Sequence, residues 1–509
     1  MENLEKIKSI CPECFKNGKT IKIEAEIIED EGKIWITKSC PQHGSFKDVM
    51  FSDPQLYYKW MKYKKEGHGV ENVEIKSSIF PDTRLYPKHK SQTILTNLLV
   101  TNRCNLRCGY CFMNAGVAGY IYEPSLEQLK KMMEEVIKEK PVPSKAIQIT
   151  GGEPTIREDL FEIIRTAREV GFSHVQLNTN GIKLAESVDY CRKVKEAGVN
   201  TIYISFDGVS KKTNPWIEQN KKAIENLRQV GITSIILVPV VMRRNLHELG
   251  LIVKFAAENI DVIRGVNFQP IAFAGKSQNI SEDQRKKERV DYAEMIAILE
   301  EELEGQVKKE DFYPVPFVFP ISELNESITG KKQVEFTANP MCGAATYVAV
   351  ENGKLIPITR YVDVEGLMNF ISEQSKTTGL FRKVRIGISL LRNISKYIDK
   401  KKAPKGFKLS KLLFKTVMGG TYKSLKEFQY KNIYIGSMWF QDIWNMNLER
   451  LESCVIHYTT EEGIIPFCAY NSLGLGEKIR AKHSMSIKEW EQKTGKKMKD
   501  DLWKKTNKK

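Results

Sequence analysis

The chain has 509 residues, of which 41% are apolar and 28% charged, and its formal net charge is +16. This composition excludes a disordered chain, and the length predicts two to four structural units. No apolar run reaches the roughly 18–20 residues that a membrane span needs, and the first residues lack the layout of a signal peptide, so a cytoplasmic protein is predicted. Ten cysteines then indicate metal ligands or buried thiols rather than disulfides.

The first 50 residues carry two pairs of candidate metal ligands on either side of a small β unit. Cys11 and Cys14 form one chelating turn, and Cys40 and His43 form the other. Three sulfurs and one imidazole suit a tetrahedral zinc ion, and a mononuclear iron would use the same ligands. Because so short a segment cannot fold around a core alone, metal is expected to stabilise a rubredoxin-like or zinc-ribbon-like domain. Unrelated surface cysteines are the alternative.

Residues 51–92 are predicted to be a connector, and a repeated strand–loop–helix pattern then fills residues 93–275. Consecutive units of this kind indicate parallel strands joined by right-handed crossovers. Six units predict an α/β fold, a partial (β/α)6 barrel open on one side, with its chemistry at the carboxyl ends of the strands. The predicted strands are Thr93–Thr101, Ala146–Gly151, His174–Asn180, Thr201–Asp207, Ser234–Met242 and Val262–Phe273.

A CxxxCxxC motif follows the first predicted strand. Cys104, Cys108 and Cys111 can bind three irons of a [4Fe–4S] cluster and leave the fourth iron open. Tyr110 stands just before the third cysteine, and with this aromatic residue the motif resembles the signature of radical S-adenosylmethionine (SAM) enzymes. That resemblance implies that the open iron binds SAM and passes an electron to its sulfonium group. A zinc knuckle or three incidental thiols are the alternative.

Three further motifs end the second, third and fourth predicted strands. The glycines of the Gly-Gly-Glu motif permit close approach of the backbone, and its glutamate can accept a hydrogen bond from the SAM ammonium group. Small polar residues at 178–181 and 205–208 stand where ribose hydroxyls would lie, although ordinary strand-end turns are the alternative for these two. No residue is assigned a catalytic role. The predicted SAM-binding residues are Tyr110, Gly151, Gly152, Glu153, Asn178, Asn180, Ser205 and Asp207.

The rest of the chain divides into a helical, proline-rich extension over residues 276–340 and an α+β C-terminal region over residues 341–509. Three cysteines of the latter region are candidate ligands of an auxiliary [4Fe–4S] cluster: Cys342, Cys454 and Cys468. The fourth ligand would be absent, derived from substrate, or a group such as His457, and buried structural thiols are the alternative. Cys191, in a predicted helix, is expected to be an ordinary core cysteine.

Most of the positive charge lies between Arg382 and Lys431, where fifteen lysines or arginines face two acidic residues. Basic amphipathic helices are typical of proteins that bind anionic membrane surfaces, and packing of the same helices on the barrel is an equal alternative. Aromatic residues are too sparse here to indicate a nucleic-acid site. Residues 407–418 repeat the pattern of the first helix, whose apolar face is predicted to carry Val384, Ile388, Leu391, Ile394 and Ile398.

Four stretches, at 100–108, 338–347, 356–365 and 454–458, resemble archaeal tetraether lipid synthases, a family formerly described as 7,8-dihydro-6-hydroxymethylpterin dimethyltransferases. The similarity runs from Cys11 to residue 471. It implies a transferase in which the 5′-deoxyadenosyl radical takes a hydrogen atom from the terminal methyl group of an isoprenoid lipid chain. Two such chains are then joined head to head.

One stretch departs from this family. The family carries a three-cysteine run, CPxDCGxCPxH, just before the first barrel strand, whereas the matching residues here are 79–89. His89 is retained, but the cysteine positions are occupied by Ile79, Thr83 and Tyr86. None of these side chains binds iron–sulfur as a thiolate does, so one auxiliary cluster is expected to be missing. The resemblance therefore points to a divergent paralogue.

Three functions remain open at this level. The first is radical chemistry on a C–H bond of an archaeal isoprenoid lipid, and the second is radical SAM methylation of a pterin or another soluble substrate. The third is a catalytically degenerate binding protein, which the intact cysteine motif and Glu153 disfavour. The expected partners are SAM, a lipid or small-molecule substrate, a reductant such as ferredoxin or flavodoxin, and the inner face of an anionic membrane contacted peripherally.

Overall fold

The computed structural model describes residues 2–73, 85–405, 407 and 432–503. An antiparallel sheet of four strands comes first in the chain, and the short helix α1 (Pro12–Lys16) follows its first strand. Its strands are β1 (Glu2–Ile10), β2 (Lys22–Asp30), β3 (Lys33–Cys40) and β4 (Gly44–Phe51), paired in chain order. Burial alternates along β3 because successive side chains of a strand point to opposite faces.

The barrel region supplies the centre of a second, larger sheet. Its strands are β5 (Leu95–Leu99), β6 (Tyr120–Ile121), β7 (Ala146–Thr150), β8 (His174–Thr179), β9 (Thr201–Ser205), β10 (Ile235–Val238), β11 (Val240–Val241) and β12 (Ile263–Pro270). Strands β5, β7, β8, β9, β10 and β12 are neighbours in that order and all parallel, which confirms the predicted α/β fold. The fifth predicted strand is divided at Pro239, which has no N–H to continue the ladder.

Strands from the C-terminal half extend this sheet at both ends. They are β13 (Tyr313–Pro314), β14 (Gly343–Glu351), β15 (Lys354–Pro357), β16 (Asn432–Met438), β17 (Ile456–Thr460) and β18 (Gly463–Pro466), whereas β19 (Met485–Ser486) lies outside this sheet. Strand β16 pairs in parallel with β12, and β17 pairs in parallel with β5. The C-terminal region therefore shares one sheet with the barrel, while β19 pairs separately with β6.

Helices cover the outside of the sheet. The start of the predicted helical extension forms two helices, and Asp291 caps the second one by accepting hydrogen bonds from the backbone N–H groups of Ala293 and Glu294. The helices after α1 are α2 (Pro54–Met61), α3 (Leu126–Ile137), α4 (Leu160–Val170), α5 (Ile182–Glu186), α6 (Val188–Ala197), α7 (Ile217–Gln229), α8 (Leu249–Glu258), α9 (Glu282–Glu288), α10 (Tyr292–Glu302), α11 (Phe319–Thr329), α12 (Val364–Ser375), α13 (Arg382–Asn393), α14 (Leu448–Glu452), α15 (Phe467–Ser472), α16 (Leu475–Lys482) and α17 (Ile487–Thr494).

Helix α13 has two apolar faces. Ile386, Leu390 and Ile394 are buried in a cluster shared with α11 and α12. The predicted apolar face is therefore wrong in part, because three of its members point outward with two residues that precede the helix. This exposed set is Leu380 (83% exposed), Phe381 (71%), Val384 (57%), Ile388 (44%) and Leu391 (55%). The second predicted basic helix lies outside the described residues except for Phe407, and none of the described helices is long and apolar enough to cross a membrane.

A buried ion network joins the N-terminal sheet to the rest of the molecule. Asp48 on β4 pairs with Arg285 and Arg289, each at 2.6 Å, and Arg289 also pairs with Asp442 at 2.7 Å. All four side chains are at most 4% exposed. Because removing one partner would leave a buried charge uncompensated, this network fixes the N-terminal sheet against the loop that follows β16.

Candidate functional site

The three cysteines of the CxxxCxxC motif line a cavity at the carboxyl end of β5. Cys104 is buried, and Cys108 and Cys111 are half-buried. Burial, with the neighbouring Cys111, raises the pKa of the Cys108 thiol to about 11. Thiolates at these positions therefore need a compensating positive charge, which iron supplies. Three convergent soft ligands in a loop with no further cysteine fit a [4Fe–4S] cluster with one open iron.

The Gly-Gly-Glu motif follows β7, and its two glycines allow its backbone to pack directly against the loop that carries the cluster cysteines. A Cβ atom on Gly152 would lie 2.0 Å from the carbonyl oxygen of Arg103, and one on Gly151 would lie 2.4 Å from the carbonyl oxygen of Thr101. The N–H of Gly152 donates to Thr101 at 2.7 Å, and the N–H of Glu153 donates to Arg103 at 2.9 Å. The motif thus fixes the position of the cluster loop relative to β7.

Glu153 holds neighbouring strand ends together. Its Oε1 accepts hydrogen bonds from the N–H and hydroxyl of Thr155, at 3.0 and 2.6 Å, and from the hydroxyl of Thr179 at 2.7 Å. Its Oε2 accepts from the N–H of Asn180 at 2.8 Å. Burial raises the pKa of this carboxyl, and the four donors oppose the shift. The predicted contact of Glu153 with the SAM ammonium group stays a prediction.

The polar residues after β8 and β9 have two different roles. Asn178 and Ser205 line the cavity. Asn180 also lines the cavity, and it donates to the Asn105 side chain at 2.7 Å, which ties the third strand end to the cluster loop. Asp207 also lines the cavity, but it accepts a short hydrogen bond from the Tyr110 hydroxyl and another from the N–H of Val240 at 3.0 Å. Burial raises the pKa of the Asp207 carboxyl.

Two further groups of cavity residues were not predicted. An apolar wall comes from the C-terminal strands and the helix after them: Met438, Phe440, Ile456, Tyr458 and Phe467. Carboxamides from the barrel strands line another part: Asn97, Gln148, Asn267 and Gln269. The buried Nδ2 of Asn97 and Oδ1 of Asn267 have no hydrogen-bond partner among the described residues. Polar residues inside otherwise apolar strands were the available signal for the second group.

The N-terminal ligands converge as predicted. The ligand atoms of Cys11, Cys14, Cys40 and His43 all lie within 4.8 Å of one another. His43 Nδ1 lies 3.5, 3.3 and 3.7 Å from the sulfurs of Cys11, Cys14 and Cys40, and the sulfurs of Cys14 and Cys40 are 3.9 Å apart. Tetrahedral zinc–thiolate bonds place two sulfurs roughly 3.8 Å apart. The donor set therefore fits one closed metal site.

The three C-terminal cysteines are close enough to interact electrostatically. Burial raises the pKa of the Cys454 thiol, and the charges of Cys468 and Cys342 raise it further. Arg450 donates to the sulfur of Cys342 at 3.5 Å. His457 is unsuited as a fourth ligand, because its Nδ1 is hydrogen-bonded to the Thr93 hydroxyl and its Nε2 to His89.

Comparison with known proteins agrees with this arrangement. Residues 98–256 match the radical SAM superfamily, and residues 3–52 match the HMPTM N-terminal zinc ribbon domain. Over 502 residues the chain is 43% identical to a protein of Methanocaldococcus jannaschii named 7,8-dihydro-6-hydroxymethylpterin dimethyltransferase, and the match covers 96% of this chain and 97% of that protein. The chain belongs to this radical SAM family.

Other similarities of this radical SAM protein are more distant. It is 29% identical over 238 residues to a probable GTP 3′,8-cyclase of Saccharolobus islandicus, which covers 45% of this chain and 72% of the cyclase. Among solved structures, coproporphyrinogen III oxidase of Escherichia coli, a radical SAM enzyme, aligns over 64% of this chain and 85% of its own, with 11% identity and a TM-score of 0.32. The [FeFe]-hydrogenase maturase HydG aligns over 74% and 91%, with 14% identity and a TM-score of 0.33.

The structure describes only part of residues 79–89, the stretch that departs from the family motif. Ile79 and Thr83 lie outside the described residues. Tyr86 is fully buried, its ring centroid lies 5.5 Å from that of His89, and burial, with the charge of Cys454, raises the pKa of its hydroxyl. A packed tyrosine therefore occupies this position close to Cys454. Cys191 is buried and donates to the carbonyl of Leu184 at 3.3 Å, as a core cysteine does.

Proposed function

We propose that this radical SAM enzyme removes a hydrogen atom from an unactivated C–H bond of an archaeal isoprenoid lipid chain, with C–C coupling as the outcome. A bound [4Fe–4S] cluster and SAM would supply the 5′-deoxyadenosyl radical. The apolar wall of the cavity is the observation that carries the substrate class. Met438, Phe440, Ile456 and Phe467 can pack against a hydrocarbon chain, and they keep water away from a reactive carbon radical.

The chain's own residues would hold and orient these groups. Cys104, Cys108 and Cys111 would bind three irons, while Gly152 and the Tyr110–Asp207 hydrogen bond fix the loop that carries them. Asn178 and Ser205 face the cavity, where they would contact SAM. The N-terminal ligands would bind zinc or iron as a structural ion, since four protein ligands leave no open position.

The decisive experiment uses anaerobically reconstituted protein with SAM, a reductant and an archaeal dialkyl glycerol lipid deuterated at its terminal methyl groups. We expect deuterium in 5′-deoxyadenosine and a lipid product that has lost hydrogen. The Cys108→Ala variant should form neither, because the cluster would lack one thiolate. Cleavage of SAM without deuterium transfer from any lipid would contradict the lipid assignment.

Methylation of a pterin is the second candidate. It is supported by the name of the Methanocaldococcus jannaschii relative and by the unpartnered polar atoms of Asn97 and Asn267, which could pair with the heteroatoms of a nitrogen heterocycle. The same assay with a dihydropterin in place of lipid tests it, since the product would gain the mass of one or two methyl groups. A degenerate binding protein, the third hypothesis, would cleave no SAM in either assay.

We also propose a peripheral position on the inner face of an anionic membrane, with ferredoxin or flavodoxin as reductant. The exposed apolar residues at the start of α13 overlap the basic segment 382–405, which carries nine basic residues and one acidic residue. Apolar side chains among cations suit a surface that offers both acyl chains and anionic headgroups. A lipid substrate would be reached from that surface.

A further inference from the structure

The C-terminal segment runs across the loop that carries the radical-cluster cysteines. Residues 100–119 link β5 to β6 and form no helix or strand, so they need support from outside. Strand β19 pairs antiparallel with β6, with Met485 opposite Ile121. Helix α17 and a short helix at Met498–Asp501 follow, and the segment reaches the loop again at Trp503.

Arg103, the residue before the first cluster cysteine, is held by this segment. Its Nη1 donates to both carboxylate oxygens of Asp501 at 2.8 Å, and its Nε donates to Glu123 at 2.9 Å. The guanidinium also lies over the ring of Trp490, 4.5 Å from its centroid. Only 5% of the Arg103 side chain is exposed. Charge-assisted hydrogen bonds in so buried a place are strong, and leaving the arginine unpaired there is costly.

Trp503 reaches the loop from the same side. Its backbone N–H donates to the carbonyl of Asn105 at 3.0 Å, between the first and second cluster cysteines. Its ring packs in the apolar cluster that contains Cys104 and Leu106. It also meets Trp216 edge to face, with ring centroids 5.3 Å apart, and Trp216 lines the cavity. The segment therefore contacts both the cluster loop and a residue of the cavity wall.

We propose that residues 485–503 form a strap that holds the cluster loop in its ligating geometry and shields the cluster from solvent and oxygen. Asp501 and Trp503 are its positioning residues, and they act on Arg103 and Asn105 of the loop. The loop has no secondary structure of its own. It is held by the pairing of β19 with β6, by the buried ion pairs of Arg103 and by the packing of the Trp503 ring. This inference depends on the radical SAM family and not on the identity of the substrate.

The test compares Trp503→Ala, Trp503→Phe and Asp501→Asn in the full chain, with Leu502→Ala as the matched control because Leu502 is exposed in the same segment. After anaerobic reconstitution, we would measure the rate at which the cluster absorbance decays in air. The electron paramagnetic resonance signal of the reduced protein would be recorded with and without SAM. Metal bound to the N-terminal site serves as the marker of folded protein.

We expect Trp503→Ala and Asp501→Asn to assemble the cluster but to lose it in air several-fold faster than the wild type, with a smaller change of signal on adding SAM. Trp503→Phe should recover most of the loss, and Leu502→Ala should match the wild type. Equal decay rates and equal SAM responses in all variants would overturn the strap. Loss of the N-terminal metal together with the cluster would also overturn it, since that would be general unfolding.

Discussion

Glu139, Thr93, His457 and His89 form a buried row of hydrogen bonds with one consistent direction. His89 Nδ1 lies 3.1 Å from His457 Nε2, His457 Nδ1 lies 3.0 Å from the Thr93 hydroxyl, and that hydroxyl donates to Glu139 at 3.0 Å. When the Thr93 hydroxyl donates to Glu139, its oxygen accepts from His457, whose other ring nitrogen then accepts from His89. Burial raises the pKa of Glu139 to about 8 and lowers that of His89 to about 4.

The first prediction concerns Glu139. Its contribution to stability is complete below about pH 4.5 and is lost as the pH rises to about 8, because only the unfolded chain ionises in that window. The slope is at most about 1.4 kcal/mol per pH unit. Urea unfolding should therefore show a smaller loss of stability between pH 5 and pH 8 in Glu139→Gln than in the wild type. Glu135→Gln, at an exposed position on α3 four residues before Glu139, should leave the pH profile unchanged.

A second prediction at this scale tests the packing of the Gly-Gly-Glu motif. The Cβ of Gly152→Ala would overlap the carbonyl of Arg103, and backbone cannot yield as a flexible side chain can. The variant should bind clearly less iron and sulfide after reconstitution. Gly109→Ala is the matched control, because a Cβ there meets nothing within 4 Å although it lies between two cluster cysteines. Equal iron content in the two variants would contradict the proposed role of the glycine.

At the scale of elements, local sequence patterns predicted the strands of the barrel but not the C-terminal strands that extend its sheet. The parallel strands from β5 to β12 follow from short apolar runs, and only the break at Pro239 alters them. Strands β16 and β17 join the same sheet from far along the chain, which no local pattern reports. The apolar wall of the cavity was missed for this reason, since Met438 and Ile456 reach the site only through those pairings. Likewise, the hydrogen bond from Asn180 to the cluster loop was not predicted, and its contact with SAM stays a prediction.

The zinc ribbon leads to a third prediction. Cys14→Ser should lower the metal content by one equivalent and lower the unfolding temperature of the N-terminal sheet, because one of four ligands is replaced by a poor one. Elemental analysis and thermal unfolding measure the two effects. Cys191→Ser is the control and should keep the metal, because the buried Cys191 thiol is hydrogen-bonded to a backbone carbonyl and not to another candidate ligand. Unchanged metal in Cys14→Ser would refute the site.

Helix α13 leads to a fourth. Liposomes with anionic lipid should sediment this protein, and raising the salt should release it, because electrostatic attraction is screened over a Debye length of about 8 Å at physiological ionic strength. Phe381→Ser and Val384→Ser should weaken binding by removing exposed apolar surface. Val117→Ser, at an exposed valine outside this surface, is the control. Sedimentation that depends on neither lipid charge nor salt would exclude membrane docking.

At the scale of the whole molecule, the ten cysteines limit the number of clusters. Three belong to the radical-cluster loop, three to the N-terminal site, three to the C-terminal group, and Cys191 stands apart. Because these groups use all the cysteines, thiolates for a further cluster are lacking. We predict at most two [4Fe–4S] clusters, thus about eight cluster irons per chain, with one N-terminal metal in addition. About twelve cluster irons, with equal sulfide, would contradict this count.

The buried ion network connects the zinc ribbon to the C-terminal cysteine group, so we expect the metal affinities of the two sites to be coupled. Arg289 connects Asp48 of the zinc ribbon to Asp442, and the residue before Asp442, Gln441, donates its N–H to the sulfur of Cys468 at 3.3 Å. We therefore expect metal in the ribbon to favour the loop conformation that presents Cys468. Linkage requires the effect to be reciprocal, so a filled C-terminal site would raise the affinity of the ribbon for its ion by the same factor. A chelator would then extract the ribbon metal more slowly from protein whose iron–sulfur sites are loaded.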